Sequence, residues 1–239
     1  MAATACRAVA EKIEVLSYNV RSFRLRLEDP PTLDFQAGQF MIVNVPKNGS
    51  VVKRAYSVAS PPHDTGVLEL CIQHVEGGTA STYFWSLKEG DPVSLNGPHG
   101  RFLLLEPYDY DVIFMATGTG VAPLRSMIRH LFHANITRQV WLLFGCRYEH
   151  AVLYESEFRT LAGLRSNFHY VPTVSRPKEW RGATGHLQET FKKYFPDPAT
   201  KIADKEIYLC GWTQVIRSIC ADLGEFGVPA EKLHFEEWA

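Results

Sequence analysis

The sequence has no excess of charge of either sign: 25 Lys and Arg stand against 26 Asp and Glu, a formal net charge of -1. Such a balance gives no whole-chain attraction to nucleic acid or to an acidic membrane surface, which argues against a nucleic-acid binder resting on bulk charge. Cysteine is sparse and scattered, with Cys6, Cys71, Cys146, Cys210 and Cys220 forming no C-x-x-C pair. An odd, dispersed set reads as the reduced thiols of a cytoplasmic protein rather than a disulfide frame. It also lacks the close thiolate spacing of an iron–sulfur cluster, so if electrons cross this chain the cluster lies on another one. The nine histidines show no H-x-x-x-H spacing, and His130 and His133, three apart on a helical pattern, read as a solvated or capped pair, so no metal is expected. There is no apolar run of about 18 residues to form a membrane span, and the opening "MAATACRAVAEKIEV" has no apolar stretch suited to a signal peptide. A G-x-S-x-G elbow is missing as well, which leaves a hydrolase reading without support.

What is present has two rhythms. The chain is long enough for two medium domains. In the first part, "KIEVLSYNV" and "SFRLRLED" read as a hairpin, with Phe23, Leu25 and Leu27 on one side and Arg24 and Arg26 on the other. "FMIVNVP", "RAYSVAS", "VLELCIQHV" and "PVSLNG" follow, separated by turn residues, which predicts an antiparallel six-stranded β-barrel over residues 1–106. Near "EPYDYD" the pattern changes. "VIFMA", "VWLLFG", "FHYVPTV" and "EIYLCG" are apolar on both faces, as strands of a covered parallel sheet must be. Helical patterns lie between them: "APLRSMIRHLFHA", "ESEFRTLAGL", "HLQETFKKYF" and "TQVIRSICADLGEF". Residues 107–239 are therefore expected to form an α/β open parallel sheet, with ligands beyond the carboxyl ends of its strands.

Two glycine-bearing turns fit phosphate chemistry. "TGTGVAP" (117–123) joins a strand to a helix start, where open amides and the positive end of the dipole favour an anion; a bare tight turn fits the G-x-G spacing equally. "VEGGTASTYFWSLKEGD" places Gly77, Gly78, Thr79, Ser81 and Thr82 before a short helical stretch at 83–87, as either a second phosphate cradle or an ordinary helix cap. Between them in character stands "KRAYSVAS", in which Arg54 and Tyr56 alternate with Ala55 and Ser57. A strand that only filled a core would not set a fixed cation and a phenol on one face.

Taken in order, "GQF" (38–40), "RAYSVAS", "GGTAS", "GPHGRF" (97–102), "ATGTGVAP", "LFGCR" (143–147), "VSRP" (174–177), "YLCG" (208–211) and the terminal "HFEEWA" resemble the ferredoxin–NADP reductase superfamily over almost the whole chain. The resemblance implies a flavoprotein that carries a hydride from NAD(P)H to FAD and passes electrons singly to a separate carrier such as ferredoxin, flavodoxin or an oxygenase component. A relay subunit without turnover of its own, or a flavin-free module that kept the fold, are the other readings. Under the resemblance Arg54 pairs with the flavin nucleotide's phosphate, Tyr56 lies flat on the flavin ring, and Ser57 bonds near the nitrogen that accepts the hydride. The segment Gly78, Thr79, Ala80 and Ser81 would hold the pyrophosphate of FAD. Thr117, Gly118, Thr119 and Gly120 would meet the pyridine nucleotide's pyrophosphate, and Cys210 would sit beside the nicotinamide. Cys71 and Cys220 read as core filler. The ending Glu236, Glu237, Trp238 and Ala239 is similar to the diflavin reductases, which makes Trp238 the aromatic that covers the flavin and Glu236 the acid near the reaction centre. "VSRP" is similar to the pair that binds the 2′-phosphate of NADP(H), here Ser175 and Arg176. NADH-using relatives carry arginine there too. The family lysine that follows an "LC" strand is matched by Gln73 in "LCIQHV", with Arg147 or Arg181 as substitutes, and the balance tips slightly to NADPH.

Overall fold

In a computed structural model the protein is described over residues 3–197 and 202–238. Two compact units divide it: one holds the chain up to Leu104 together with Arg125–Ala134, the other Leu105–Leu124 and Asn135 onward.

The first unit is built on β1 (Thr4–Ser17), β2 (Val20–Asp29), β3 (Phe40–Lys47), β4 (Ser50–Ser57), β5 (Val67–Gln73) and β6 (Pro92–His99), with helix α1 (Thr79–Ser86) between the last two. The six strands form one antiparallel sheet in the order β4-β3-β6-β1-β2-β5. Its outer strands meet where Val58, just past β4, bridges Leu70 of β5, so the sheet curls into the expected barrel. Alternation along β2 decides which face turns inward. Phe23, Leu25 and Leu27 are buried, while Arg24 and Arg26 point out to Glu11. Full burial of side chains of this size is worth about 1.5–3 kcal/mol each. β1 starts well before the "KIEVLSYNV" hairpin arm, because Cys6, Ala8 and Ala10 alternate inward and pair with both β2 and β6. Small inward residues made that half hard to recognise as a strand.

A buried ion pair ties this unit internally. Arg125 Nη1 donates to Glu69 Oε2 at 2.9 Å and to the Ala59 carbonyl at 2.8 Å, and Ser22 Oγ donates to Glu69 Oε1 at 2.7 Å. Ser126 Oγ donates to the Ser60 carbonyl at 2.6 Å. The carbonyls of Ala59 and Ser60 lie just beyond the strand that carries Arg54 and Tyr56, so the end of that strand is fixed by partners rather than left to fray.

The second unit has β7 (Asp111–Thr117), α2 (Val121–His133, of which the last turns belong to the first unit), β8 (Val140–Cys146), α3 (Glu155–Leu164), β9 (Phe168–Val174), β10 (Ala183–Thr184), α4 (Leu187–Tyr194), β11 (Lys205–Trp212), α5 (Thr213–Glu225) and β12 (Leu233–Trp238). All its strands run parallel, in the order β10-β9-β8-β7-β11-β12. The inner strands are buried through their middles, which is why they read as continuous apolar runs. Two strands were not expected: the short β10, and β12, whose acidic sequence lies at the sheet's margin where side chains stay partly exposed. Among the described residues no helix is long and apolar enough to cross a membrane.

Candidate functional site

In the barrel unit the site begins with the pleat of β4. Met41 pairs with Tyr56, Val43 with Arg54 and Val45 with Val52, and directly paired residues share a face. Met41, Val43 and Val45 are fully buried, so Val52, Arg54 and Tyr56 lie on the side of the sheet that elsewhere makes the core. Here that side is only partly covered. Tyr56 is half-buried and meets Phe84 of α1 edge-on, with ring centroids 5.4 Å apart. Burial pushes its phenol up to about 12, so the ring is neutral in ordinary buffers. Arg54 is exposed; its Nη1 donates to the Lys53 carbonyl at 2.9 Å, and among the described residues no carboxylate pairs with it. Ala55 is exposed and Ser57 half-buried, both on the opposite pleat. A half-covered ring and an unpaired guanidinium on an inward-type face fit a flat ligand that carries phosphate.

The start of α1 supplies the complementary part. The helix begins at Thr79, four residues earlier than expected, with Gly78 at its N-cap, no side-chain cap and no acid in its first turn. First-turn amides have no partner within a helix, so those of Thr79, Ala80 and Ser81 face outward with the positive end of the dipole. A Cβ on Gly78 would stand 2.8 Å from Ser81 Oγ and 3.0 Å from the Val75 carbonyl, so a side chain there would open the turn. Ser81 is buried, and its hydroxyl accepts from the Val75 amide at 3.1 Å while facing the carbonyls of Val75 and Gly78 at 3.0 and 3.1 Å. What it can offer an anion is its amide, the hydroxyl being committed to the turn. Lys47, at the end of β3, was missed by sequence reasoning: it donates from Nζ to Thr79 Oγ1 at 3.1 Å. Its alternation with Met41, Val43 and Val45 was a usable signal, but nothing in the sequence showed where α1 would lie.

In the second unit, β7 ends at Thr117, Gly118–Gly120 make one tight turn, and α2 starts at Val121. Gly118 has φ +53, a left-handed conformation that glycine adopts without strain. Gly120 is packed so closely on β11 that a Cβ would collide with the Cys210 carbonyl. Beside this turn β11 and β12 end in register, Tyr208 with His234, Cys210 with Glu236 and Trp212 with Trp238. Tyr208 and His234 stack at 4.8 Å, which shows that these alternate rungs share one face. Cys210 and Glu236 are thus brought together, and Trp238 follows on the next rung. Burial, then the Glu236 carboxylate, push the Cys210 thiol well above its ordinary value, so it is a neutral thiol and no nucleophile. Glu237 points elsewhere and takes a forked bond from Arg217 at 2.6 and 3.0 Å. Ala239 lies outside the described residues. Trp212, an exposed indole next to Trp238, was not singled out from sequence.

Arg147 and Arg176 also come together at the carboxyl edge of this sheet, the Arg176 amide donating to the Arg147 carbonyl at 2.8 Å, with Ser175 bonded through its amide to the Cys146 carbonyl at 3.0 Å. "LCIQ" is β5 of the barrel, paired with β2, whereas the nucleotide-side "LC" is Leu209–Cys210 in β11.

The comparisons agree with this geometry. Residues 7–103 match the oxidoreductase FAD-binding domain family and residues 114–221 the oxidoreductase NAD-binding domain family. Ferredoxin--NADP reductase B of Sorangium cellulosum is 34% identical over 95% of this chain and 94% of its own length. Phenol hydroxylase P5 protein of Acinetobacter pittii is also 34% identical, over 97% of this chain but 65% of its own length, so the chain spans less than two thirds of that relative. Among solved structures, the Amycolatopsis cytochrome P450 reductase GcoB superposes with a TM-score of 0.89 at 25% identity, over 98% of this chain and 70% of that one. The chain therefore belongs to the ferredoxin–NADP reductase superfamily, as an NAD(P)H-dependent flavin reductase of that type whose cofactors are FAD and a pyridine nucleotide.

Proposed function

We propose that the chain takes a hydride from NADPH, in preference to NADH, onto bound FAD and hands the two electrons one at a time to a separate protein carrier, a ferredoxin, a flavodoxin or an oxygenase component. FAD supplies the conversion of a two-electron donor to one-electron delivery; the chain supplies placement and charge. The observation that carries the reading is the row of Arg54 and Tyr56 on an inward-type face that the barrel leaves half open.

Tyr56 stacks the flavin ring as a neutral phenol, and Arg54 forks onto its phosphate. The amides of Thr79, Ala80 and Ser81, with Lys47, hold the rest of the diphosphate. On the second unit the turn Thr117–Gly120 receives the pyridine nucleotide's pyrophosphate, and Cys210, Glu236 and Trp238 line the nicotinamide's place. Ser57 steadies charge at the flavin. Ser175, Arg176 and Arg147 take the 2′-phosphate that distinguishes NADPH. The division at about residue 106 assigns one nucleotide to each domain. A protein carrier is favoured by the relatives, one a ferredoxin reductase and one a phenol hydroxylase component. A cytoplasmic setting follows from the dispersed thiols.

Steady-state oxidation of NADPH and NADH by the FAD-loaded chain, with an artificial one-electron acceptor, tests this. Turnover with a lower KM for NADPH is expected. An equal or lower KM for NADH would remove the 2′-phosphate assignment, and a single flavin reduction without turnover would mark a relay subunit instead.

A further inference from the structure

The loops that follow β8 and β9 run side by side past the carboxyl ends of their strands. Ladder pairing reaches Cys146 and Val174, and two backbone bonds extend it, from the Ser175 amide to the Cys146 carbonyl (3.0 Å) and from the Arg176 amide to the Arg147 carbonyl (2.8 Å). Pro177 has no N–H to continue the series, and the loop after β8 turns off into a single helical turn at Glu149–Ala151. The Glu149 side chain takes over where the main chain stops. Its Oε1 accepts from the Glu179 amide at 3.0 Å and the Lys178 amide at 3.3 Å, and its Oε2 lies 3.4 Å from the latter. Farther along, Trp180 Nε1–H donates to the Ala183 carbonyl at 2.9 Å. The segment is thus tied at four points, Ser175, Arg176, the Lys178–Glu179 pair and Trp180, within the eight residues between β9 and β10. It carries three exposed cations, Arg176, Lys178 and Arg181, beside the exposed Arg147, and among the described residues none of the four is paired with a carboxylate.

We propose that Glu149 is a positioning residue for the nucleotide's 2′-phosphate: by holding the main chain of Lys178 and Glu179 it keeps the loop in the form that presents Arg176 beside Arg147. The inference rests on the assignment of Arg176 to that phosphate made above. A carboxylate close to a phosphate site would ordinarily oppose binding. Here its lone pairs are spent on amides, its own first and then that of Glu179, which also hold its pKa below the usual carboxylate range. The benefit is preorganisation, because a loop already fixed does not have to be ordered when the nucleotide arrives.

The test compares KM and kcat for NADPH and for NADH in the FAD-loaded chain and in Glu149→Ala, Glu149→Gln and Arg176→Ala, with flavin content checked for each. Glu149→Ala is expected to raise the KM for NADPH about 3- to 10-fold, the loss of one or two hydrogen bonds to a charged acceptor, while kcat and the KM for NADH stay within about twofold. Glu149→Gln is expected to stay near the parent, because one amide oxygen can accept from both N–H groups. An unchanged KM for NADPH in Glu149→Ala would overturn the proposal. So would a lowered KM in both Glu149 variants, which would mean that the carboxylate only repels. If Glu149→Ala loses its flavin, Glu149→Ser replaces it under the same criteria. Arg176→Ala separates the two ideas: if it leaves the preference between NADPH and NADH untouched, the 2′-phosphate assignment itself has failed. If Arg176→Ala shifts the preference and Glu149→Ala does not, only the positioning role has failed.

Discussion

Arg54 and Glu69 show how one chain uses charge in two opposite ways. Glu69 is buried with its oxygens engaged by Arg125 and Ser22, so its charge is settled inside the fold. Arg54 stands exposed on a face otherwise given to valine and methionine, with no carboxylate among the described residues to pair with. A cation in that position neutralises no carboxylate among the described residues and is available to a ligand. Arg54→Ala should therefore leave stability within about 0.5 kcal/mol and weaken FAD binding by about 10- to 100-fold, the loss of a charge-assisted bond. Urea unfolding and flavin titration read the two effects separately. Unchanged affinity would remove Arg54 from the site. The cation and ring of this strand were legible because their alternation is local. Lys47 and Glu149 were not, since each acquires its partner from about thirty residues away: Thr79 in one case, the Lys178 and Glu179 amides in the other.

Among the elements, those with the strongest period were the most readable. α3 covers the expected "ESEFRTLAGL" without a residue to spare, because apolar spacing and the acids in its first turn agree. The four apolar strands of the parallel sheet were legible for the same reason, their burial on both faces leaving no polar alternation. β12 was not. An edge strand of mixed acids and aromatics carries no period of its own, and its identity comes from pairing with β11. The first unit also depends on a device that hydropathy does not show, the Arg125–Glu69 pair at 2.9 Å. Glu69→Ala would take the carboxylate from a buried guanidinium and should cost about 3–5 kcal/mol, whereas Glu69→Leu combined with Arg125→Met should recover most of that loss. Denaturant unfolding of both variants checks it, and a double variant no more stable than the single one would contradict the argument.

At the scale of the whole molecule, two sheets of opposite logic are joined in one chain. The antiparallel barrel has an edge strand whose inward-type face is not closed over; the parallel sheet ends in a glycine turn, a neutral buried thiol and a row of paired side chains. Each arrangement fits one nucleotide, and the matches to FAD-binding and NAD-binding families fall on the same two stretches. Everything above requires that this one polypeptide binds FAD and lets NAD(P)H reduce it. Anaerobic mixing of the FAD-loaded chain with one equivalent of NADPH, followed through the flavin's visible absorption, tests that claim most directly. The oxidised-flavin band should disappear in proportion to nucleotide added; a band that persists while FAD remains bound, with NADPH and NADH alike, would rule out hydride transfer to the flavin.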